Sequence, residues 1–305
     1  MSSLVTTLGN LNLDQVGDIL AHEHVFVDLR TWDKPGYAQA DVNDVIRLMV
    51  PELEKAKALG ITALVECSTC GVGRRVDILK AVSEAANFAL LAPTGIYREP
   101  WVPAWAHAAN EKELYQWMRG ELLGFIDSTG VQAGFIKLSA GDDGLTATET
   151  KILRAAAMAA MESNAVIASH TIRGRVVMDS LDILSQVGLP LTKYIWVHAQ
   201  NEKDLDLTLR IASRGCWLEY DGIGTEGMDA FYLERITTLL NHGYGDQILL
   251  SHDRGWYDPA KPGGGTPRPF TYLHESFLPK LAAAGIDQPV LQKLIKENPF
   301  HAFAR

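Results

Sequence analysis

The 305-residue sequence has only three cysteines, Cys67, Cys70 and Cys216. So few thiols exclude a disulfide-stapled scaffold and fit a reducing compartment. Cys67 and Cys70 form a C-x-x-C, but no second pair completes a zinc knuckle, and Cys67 falls in an apolar run, so it reads as a buried packing thiol. No uncharged apolar run approaches the ~20 residues that cross a bilayer. Met1–Gly17 lacks the basic stretch and apolar core of a secretory signal, and a cytoplasmic location is expected. Basic charge is also short: 28 Lys and Arg stand against 37 Asp and Glu, a net charge of −9. That balance argues against nucleic acid or an anionic membrane as the partner and leaves a small molecule. A glycine-rich phosphate loop is missing after the first predicted strand, which disfavours an open dinucleotide-binding sheet. No Pro/Gly linker divides the chain, so residues 1–305 read as one domain.

What is present is an alternation of short apolar runs with longer amphipathic stretches. The runs Asp18–Leu29, Ile61–Thr69, Phe88–Tyr97, Ala133–Ala140, Ala165–Thr171, Tyr194–Ala199, Cys216–Ile223 and Gln247–Asp253 read as strands. Several are almost continuously hydrophobic, as parallel strands covered on both faces must be. Helices are predicted over Asn43–Leu59, Thr148–Asn164 and Glu202–Arg214, the first capped by Asn43, stopped by Gly60 and kinked or broken at Pro51. This α/β alternation predicts a (β/α)8 barrel, preceded by a short N-terminal β-hairpin. The Pro- and Gly-rich stretch Asp258–Pro269 follows the last strand and reads as an active-site loop.

Barrel active sites form where the strands end. His22 and His24 lie on the first predicted strand, Lys137 on the fourth, and His170, His198 and Asp253 end the fifth, sixth and eighth. In His22-Glu23-His24 the period of two sends both imidazoles to one face and Glu23 to the other. Paired imidazoles suit a borderline cation such as zinc. Lys137, within Phe135-Ile136-Lys137-Leu138, must be desolvated or chemically modified. His252 reads as a packing or ligand-supporting histidine, and His107, His242, His274 and His301 as surface or packing residues.

These residues carry a resemblance. Ala21-His22-Glu23-His24, Gly134-Phe135-Ile136-Lys137, Ser169-His170-Thr171 and Leu250-Ser251-His252-Asp253 resemble the phosphotriesterase family of the amidohydrolase superfamily, its lactonase branch in particular, over nearly the whole chain. The resemblance implies two divalent metals, zinc first, with manganese, cobalt and iron as alternatives. It implies that CO2 carbamylates Lys137, turning it into a bridging anion. His22, His24 and Asp253 would then hold the more buried metal, His170 and His198 the more exposed one. A hydroxide shared by the metals would attack, and Asp253 would carry its proton. Relatives of this kind are often homodimers.

For substrate contacts the sequence offers Tyr97, Arg98 and Trp101 after the third strand, Asp221 after the seventh, and Arg254, Trp256 and Arg268 after the eighth. The chain departs from the resembled family in two places. His198-Ala199-Gln200-Asn201 replaces the usual His-Ser-x-Asp, and Gly222 follows Asp221 where Arg or His is common. An aspartate of the proton relay and a basic partner are thereby lost, with Glu219, Tyr220 and Asp221 as candidates for replacement contacts. The expected activity is opening of a lactone or related carboxylic ester, with phosphotriester cleavage as a side reaction. The alternatives are an N-acyl amide or phosphorylated sugar-lactone hydrolase, with Arg98, Arg254 and Arg268 as anion clamps, and a metal-binding barrel without turnover.

Overall fold

All eight predicted strand runs form strands, in the predicted order, in a computed structural model that describes residues 2–305. Leu4–Thr6 (β1) and Gly9–Leu11 (β2) make the antiparallel hairpin. The barrel strands are Asp18–Phe26 (β3), Ile61–Glu66 (β4), Ala89–Leu91 (β5), Pro93–Thr94 (β6), Phe135–Ser139 (β7), Ile167–His170 (β8), Tyr194–Val197 (β9), Trp217–Tyr220 (β10), Ile248–Leu250 (β11) and Gly255–Tyr257 (β12). Parallel ladders run β12-β3-β4-β5 and β6-β7-β8-β9-β10-β11. Because β5 continues into β6 across Ala92, and β11 into β12 across Ser251–Arg254, the two ladders are staves of one closed ring. The helices are Val42–Ala58 (α1), Val76–Ala86 (α2), Ala104–Ala108 (α3), Glu111–Leu123 (α4), Ala147–Ser163 (α5), Gly174–Val187 (α6), Leu205–Ala212 (α7), Asp229–Asn241 (α8), Leu278–Ala283 (α9), Gln288–Gln292 (α10) and Asn298–Phe303 (α11). Among the described residues no helix is long and apolar enough to cross a membrane.

All three predicted helices differ from expectation at their starts; the third begins at Leu205 rather than Glu202, where Asp204 caps it by accepting the Leu207 N–H. Asp41 rather than Asn43 caps α1, its carboxylate accepting the Asn43 N–H. Pro51 does not break that helix, because it lies on the exposed face, where water can take the carbonyl that proline leaves unpaired. Helix α5 starts before Thr148, since Thr146 and Glu149 form a reciprocal capping box.

Two apolar layers follow from the pleat of the strands. Outward residues such as Leu20, Leu64, Leu90, Ile136, Ile167, Trp196 and Leu218 pack under the helices. Inward residues such as Ile19, Ala63, Leu91, Phe135, Val166, Ile195 and Leu249 fill the barrel, and Phe300 and Phe303 of α11 join that cluster. The ring of Phe303 meets Phe135 edge-on at 5.2 Å.

Strand β3 breaks its own alternation. Leu20 pairs with Leu64 and Glu23 with Glu66, so three steps of β3 match two of β4. Such a bulge points two successive residues the same way. Ala21 therefore joins the barrel interior, and His22 and His24 line the cavity above it. Without the extra residue both histidines would face the helices.

Strand β6 approaches β7 where a side chain has no room. Gly95 has φ +109°, and a Cβ there would lie 2.2 Å from the Lys137 carbonyl oxygen. Gly95→Ala is expected to cost about 3 kcal/mol or more of stability. The measurement is a lower urea midpoint at unchanged slope.

Candidate metal centre

The C-terminal ends of the strands enclose a cavity of about 160 Å³ lined by His22, His24, Lys137, His170, His198 and Asp253, with Cys67, Tyr97 and Trp256 among its other walls. All six side chains expected as ligands thus meet in one place. Ring nitrogens and carboxylate oxygens of His22, His198 and Asp253 lie within 4.8 Å of one another. Asp253 Oδ1 is 3.1 Å from His24 Nε2 and 3.8 Å from His22 Nε2. Across the cavity, His198 Nε2 and His170 Nδ1 are 2.7 Å apart.

Three of the four imidazoles, all but His170, are turned by a partner behind them. His22 Nδ1 lies 2.5 Å from Glu219 Oε1, and His24 Nδ1 lies 2.8 Å from Ser68 Oγ with Glu66 Oε1 at 3.5 Å. His198 Nδ1 lies 2.6 Å from Asp221 Oδ1, while the other oxygen of Asp221 accepts the His198 N–H at 3.0 Å. Gln200 Nε2 also donates to Asp221, at 2.6 Å. Carboxylates behind histidines fix the tautomer and raise ligand basicity, so the free nitrogens point into the cavity as acceptors. Asp221→Asn is expected to lower metal affinity about 10- to 100-fold through loss of this support, measurable by competition with a chelating dye.

His198 and Asp253 both have left-handed backbone, with φ of 67° and 55°, as does Trp256 at 74°. Such conformations cost about 1–3 kcal/mol each and persist where the surroundings impose them. Here they turn the chain at the strand ends, so that the side chains face the mouth rather than continue the pleat.

Charge is arranged for cations. Burial lowers the His22 pKa well below 6.5 despite Asp221, and Lys137 lowers it further. Burial, His198 and Lys137 do the same to His170. Burial also disfavours a charged His24, but bonds to Asp253 and Glu66 outweigh it and push that pKa up to about 9. Burial raises the Asp253 carboxyl, yet His24, His22 and His198 hold it well below the usual carboxylate range. Behind them, burial and the charge of Asp221 push Glu219 up, while His198 and His22 overcome burial to hold Asp221 ionised. Buried His170 Nε2 and Asp253 Oδ1 have no hydrogen-bond partner among the described residues. An unpaired carboxylate oxygen and imidazoles converging on one cavity fit divalent metal ions, which His24 would meet in its neutral form.

Of the expected substrate contacts, Tyr97 and Trp256 line this cavity and Arg268 an adjoining one. Four are placed elsewhere. Arg98 is paired with Asp142 at 2.7 Å. Trp101 donates its indole N–H to the Leu29 carbonyl at 2.8 Å. Arg254 is bonded to the Gly224 carbonyl and lies over the Tyr272 ring. Asp221 is fully buried behind His198, with its carboxylate on the imidazole and none of it lining the cavity. The supports Glu66 and Ser68 went unread in the sequence, because nothing local marks them; Glu219 was singled out only as a possible contact. His252 is buried and holds the seam: its Nδ1 meets Glu23 at 2.5 Å and its Nε2 accepts the Leu273 N–H. Glu23 also accepts from Ser251 Oγ and from the N–H groups of His252 and Arg254, joining the first strand of the barrel to the last.

Comparison with known proteins agrees with this geometry. The sequence matches the model of the phosphotriesterase family over residues 2–303. It is 27% identical to an aryldialkylphosphatase of Saccharolobus solfataricus, over 95% of each chain. It is 26% identical to an N-acetyltaurine hydrolase of Rattus norvegicus, over 96% of this chain and 95% of that one. The fold superposes on a mutant phosphotriesterase-like lactonase of Deinococcus radiodurans with a TM-score of 0.88 at 28% identity, covering 99% of this chain and 100% of that one.

Proposed function

The chain belongs to the phosphotriesterase family and is a metal-dependent hydrolase of that family; from this premise we propose that it uses two divalent metals to open a lactone or related carboxylic ester. The observation that carries the reading is the convergence of four histidines, Lys137 and Asp253 on one cavity with acceptors left unpaired. In this reading His22, His24 and Asp253 would hold one metal and His170 and His198 the other, with Lys137, carbamylated by CO2, supplying an anionic ligand between the two groups. When bound, two such cations would supply Lewis acidity, lowering the pKa of water toward neutral and favouring charge on the acyl oxygen.

The remaining work falls to the side chains. Asp253, kept ionised by its histidine neighbours, accepts the proton of the attacking water and passes it toward the leaving oxygen. Tyr97 stays protonated, since burial pushes its pKa up to about 12. Its hydroxyl lies 3.1 Å from His170 Nδ1, at the cavity wall, where it can donate to the substrate's acyl oxygen. Trp256, half-buried at the same wall, closes the side next to His24, ring centroids 5.7 Å apart. Phosphotriesters fit as side substrates, because the same nucleophile can attack phosphorus.

The reading is tested by loading the protein with zinc, manganese or cobalt, counting metal, and assaying lactones, simple esters and phosphotriesters. About two metals per chain and ester or lactone turnover are expected. Two metals with no turnover of any ester or lactone would overturn the substrate class.

A further inference from the structure

Beside the metal cavity lies a second one of about 400 Å³, which shares His170, His198 and Asp253 with it. Its other walls come from the segments after β9, β10 and β12, and they are rich in donors: Asn201, Lys203, Thr225, Tyr232 and Arg268. Gly222 makes room for the phenol. A Cβ there would lie 2.3 Å from the Tyr232 hydroxyl, so the missing side chain lets a tyrosine only 2% exposed bring its hydroxyl to the chamber. Burial raises the Tyr232 pKa, and the charge of Asp221 raises it further, so the hydroxyl is kept as a donor.

The two cations here are unmatched. Lys203 lies 4.6 Å over the Phe231 ring, and its amine makes one long bond, 3.3 Å, to the Gln200 carbonyl. Arg268 stacks 4.0 Å over Trp256, and its backbone bridges to Gly255. Neither has a carboxylate within ion-pairing distance among the described residues, although the chain holds 37 acidic side chains. Arg98 and Arg254, by contrast, are engaged elsewhere. Aromatic stacking holds the two free cations in place, so less side-chain freedom is lost when an anion arrives. The one carboxylate on the chamber wall, Asp253, faces the histidines.

We propose that this chamber receives an anionic group of the substrate, a carboxylate or sulfonate next to the acyl bond that is cleaved. Arg268 and Lys203 supply the charge, and Tyr232 donates a hydrogen bond. The inference rests on the hydrolase reading above and narrows its substrates to acyl compounds with an anionic half.

The test compares phenyl acetate with its 4-sulfonate, 4-acetoxybenzenesulfonate, on the zinc-loaded protein. Taking the ratio of kcat/KM for the two esters, and comparing that ratio between native protein and variants, cancels their different leaving groups. The native protein is expected to favour the sulfonate by about tenfold, carried by KM, one charge-assisted contact being worth roughly that factor. In the double variant Arg268→Gln/Lys203→Gln that ratio falls about tenfold below the native one, and Tyr232→Phe reduces it in part. Lys296→Gln, at the opposite end of the barrel, leaves it as in the native protein. A ratio untouched by the double variant overturns the proposal. If neither ester is cleaved, the hydrolase reading fails by itself and calorimetry decides the chamber. Binding of 4-hydroxybenzenesulfonate tighter than phenol, and weakened about tenfold by the double variant, supports it; equal binding of both overturns it.

Discussion

Lys137→Ala is expected to abolish hydrolysis, by at least about a thousandfold, and to leave the protein short of its metal complement. The lysine is 2% exposed, on β7, and its charge already depresses His22 and His170. A bare ammonium there repels the cations that the histidines are turned to receive. Converted to a carbamate it becomes an anion in the centre of the ligand set, which removes the conflict. Short carboxylic acids are therefore expected to restore part of the activity of the alanine variant by entering the space the side chain leaves. Metal analysis and turnover with and without added propionate check this. Unchanged activity in the alanine variant would remove the carbamate from the mechanism.

Asp253→Asn separates holding metal from moving protons. Asparagine tolerates the left-handed backbone found at this position, with φ of 55°, so the strand end is expected to keep its shape. The amide oxygen can still meet a cation, but it cannot take up a proton. Metal content is expected to stay near the native level while kcat falls by about 10²- to 10⁴-fold, the usual span of a lost general base. Turnover near the native rate would assign the proton to another group.

The fold was legible because its signal is local and repeated: each apolar run is a strand, and each alternates with a helix of ordinary period. The ligand set was legible because barrels gather strand-end residues at one mouth. The period of two tells that His22 and His24 share a face, but not which face; that depends on the bulge at Ala21–His22, which is set by pairing with β4. The supports Glu66 and Ser68 lie on and just past β4, and Glu219 on β10, all distant in sequence from the histidines they meet, and their contacts exist only once the ring is closed. Arg98 and Arg254 looked like anion clamps by type and place. Asp142 and the Gly224 carbonyl, distant in sequence, have claimed them. The reverse holds for Tyr232, a buried helix residue with no mark in the sequence, which reaches the second chamber because Gly222 lacks a side chain.

The seam between the first and last barrel strands has a consequence beyond chemistry. Backbone bonds there run from Asp253 N–H to the His22 carbonyl at 3.3 Å, from His24 N–H to that of Arg254 at 2.9 Å and from Val27 N–H to that of Tyr257 at 3.0 Å, helped by Ser251 and Glu23. His22 and Asp253, placed on either side of this join, would seize one ion between them, making the metal a clasp across segments 229 residues apart at His22 and Ser251. A covalent cross-link over that span is worth about 5 kcal/mol in the loop-closure view. Resistance to heat should therefore track free metal concentration, and a chelator should open the barrel at the join where its two ends meet.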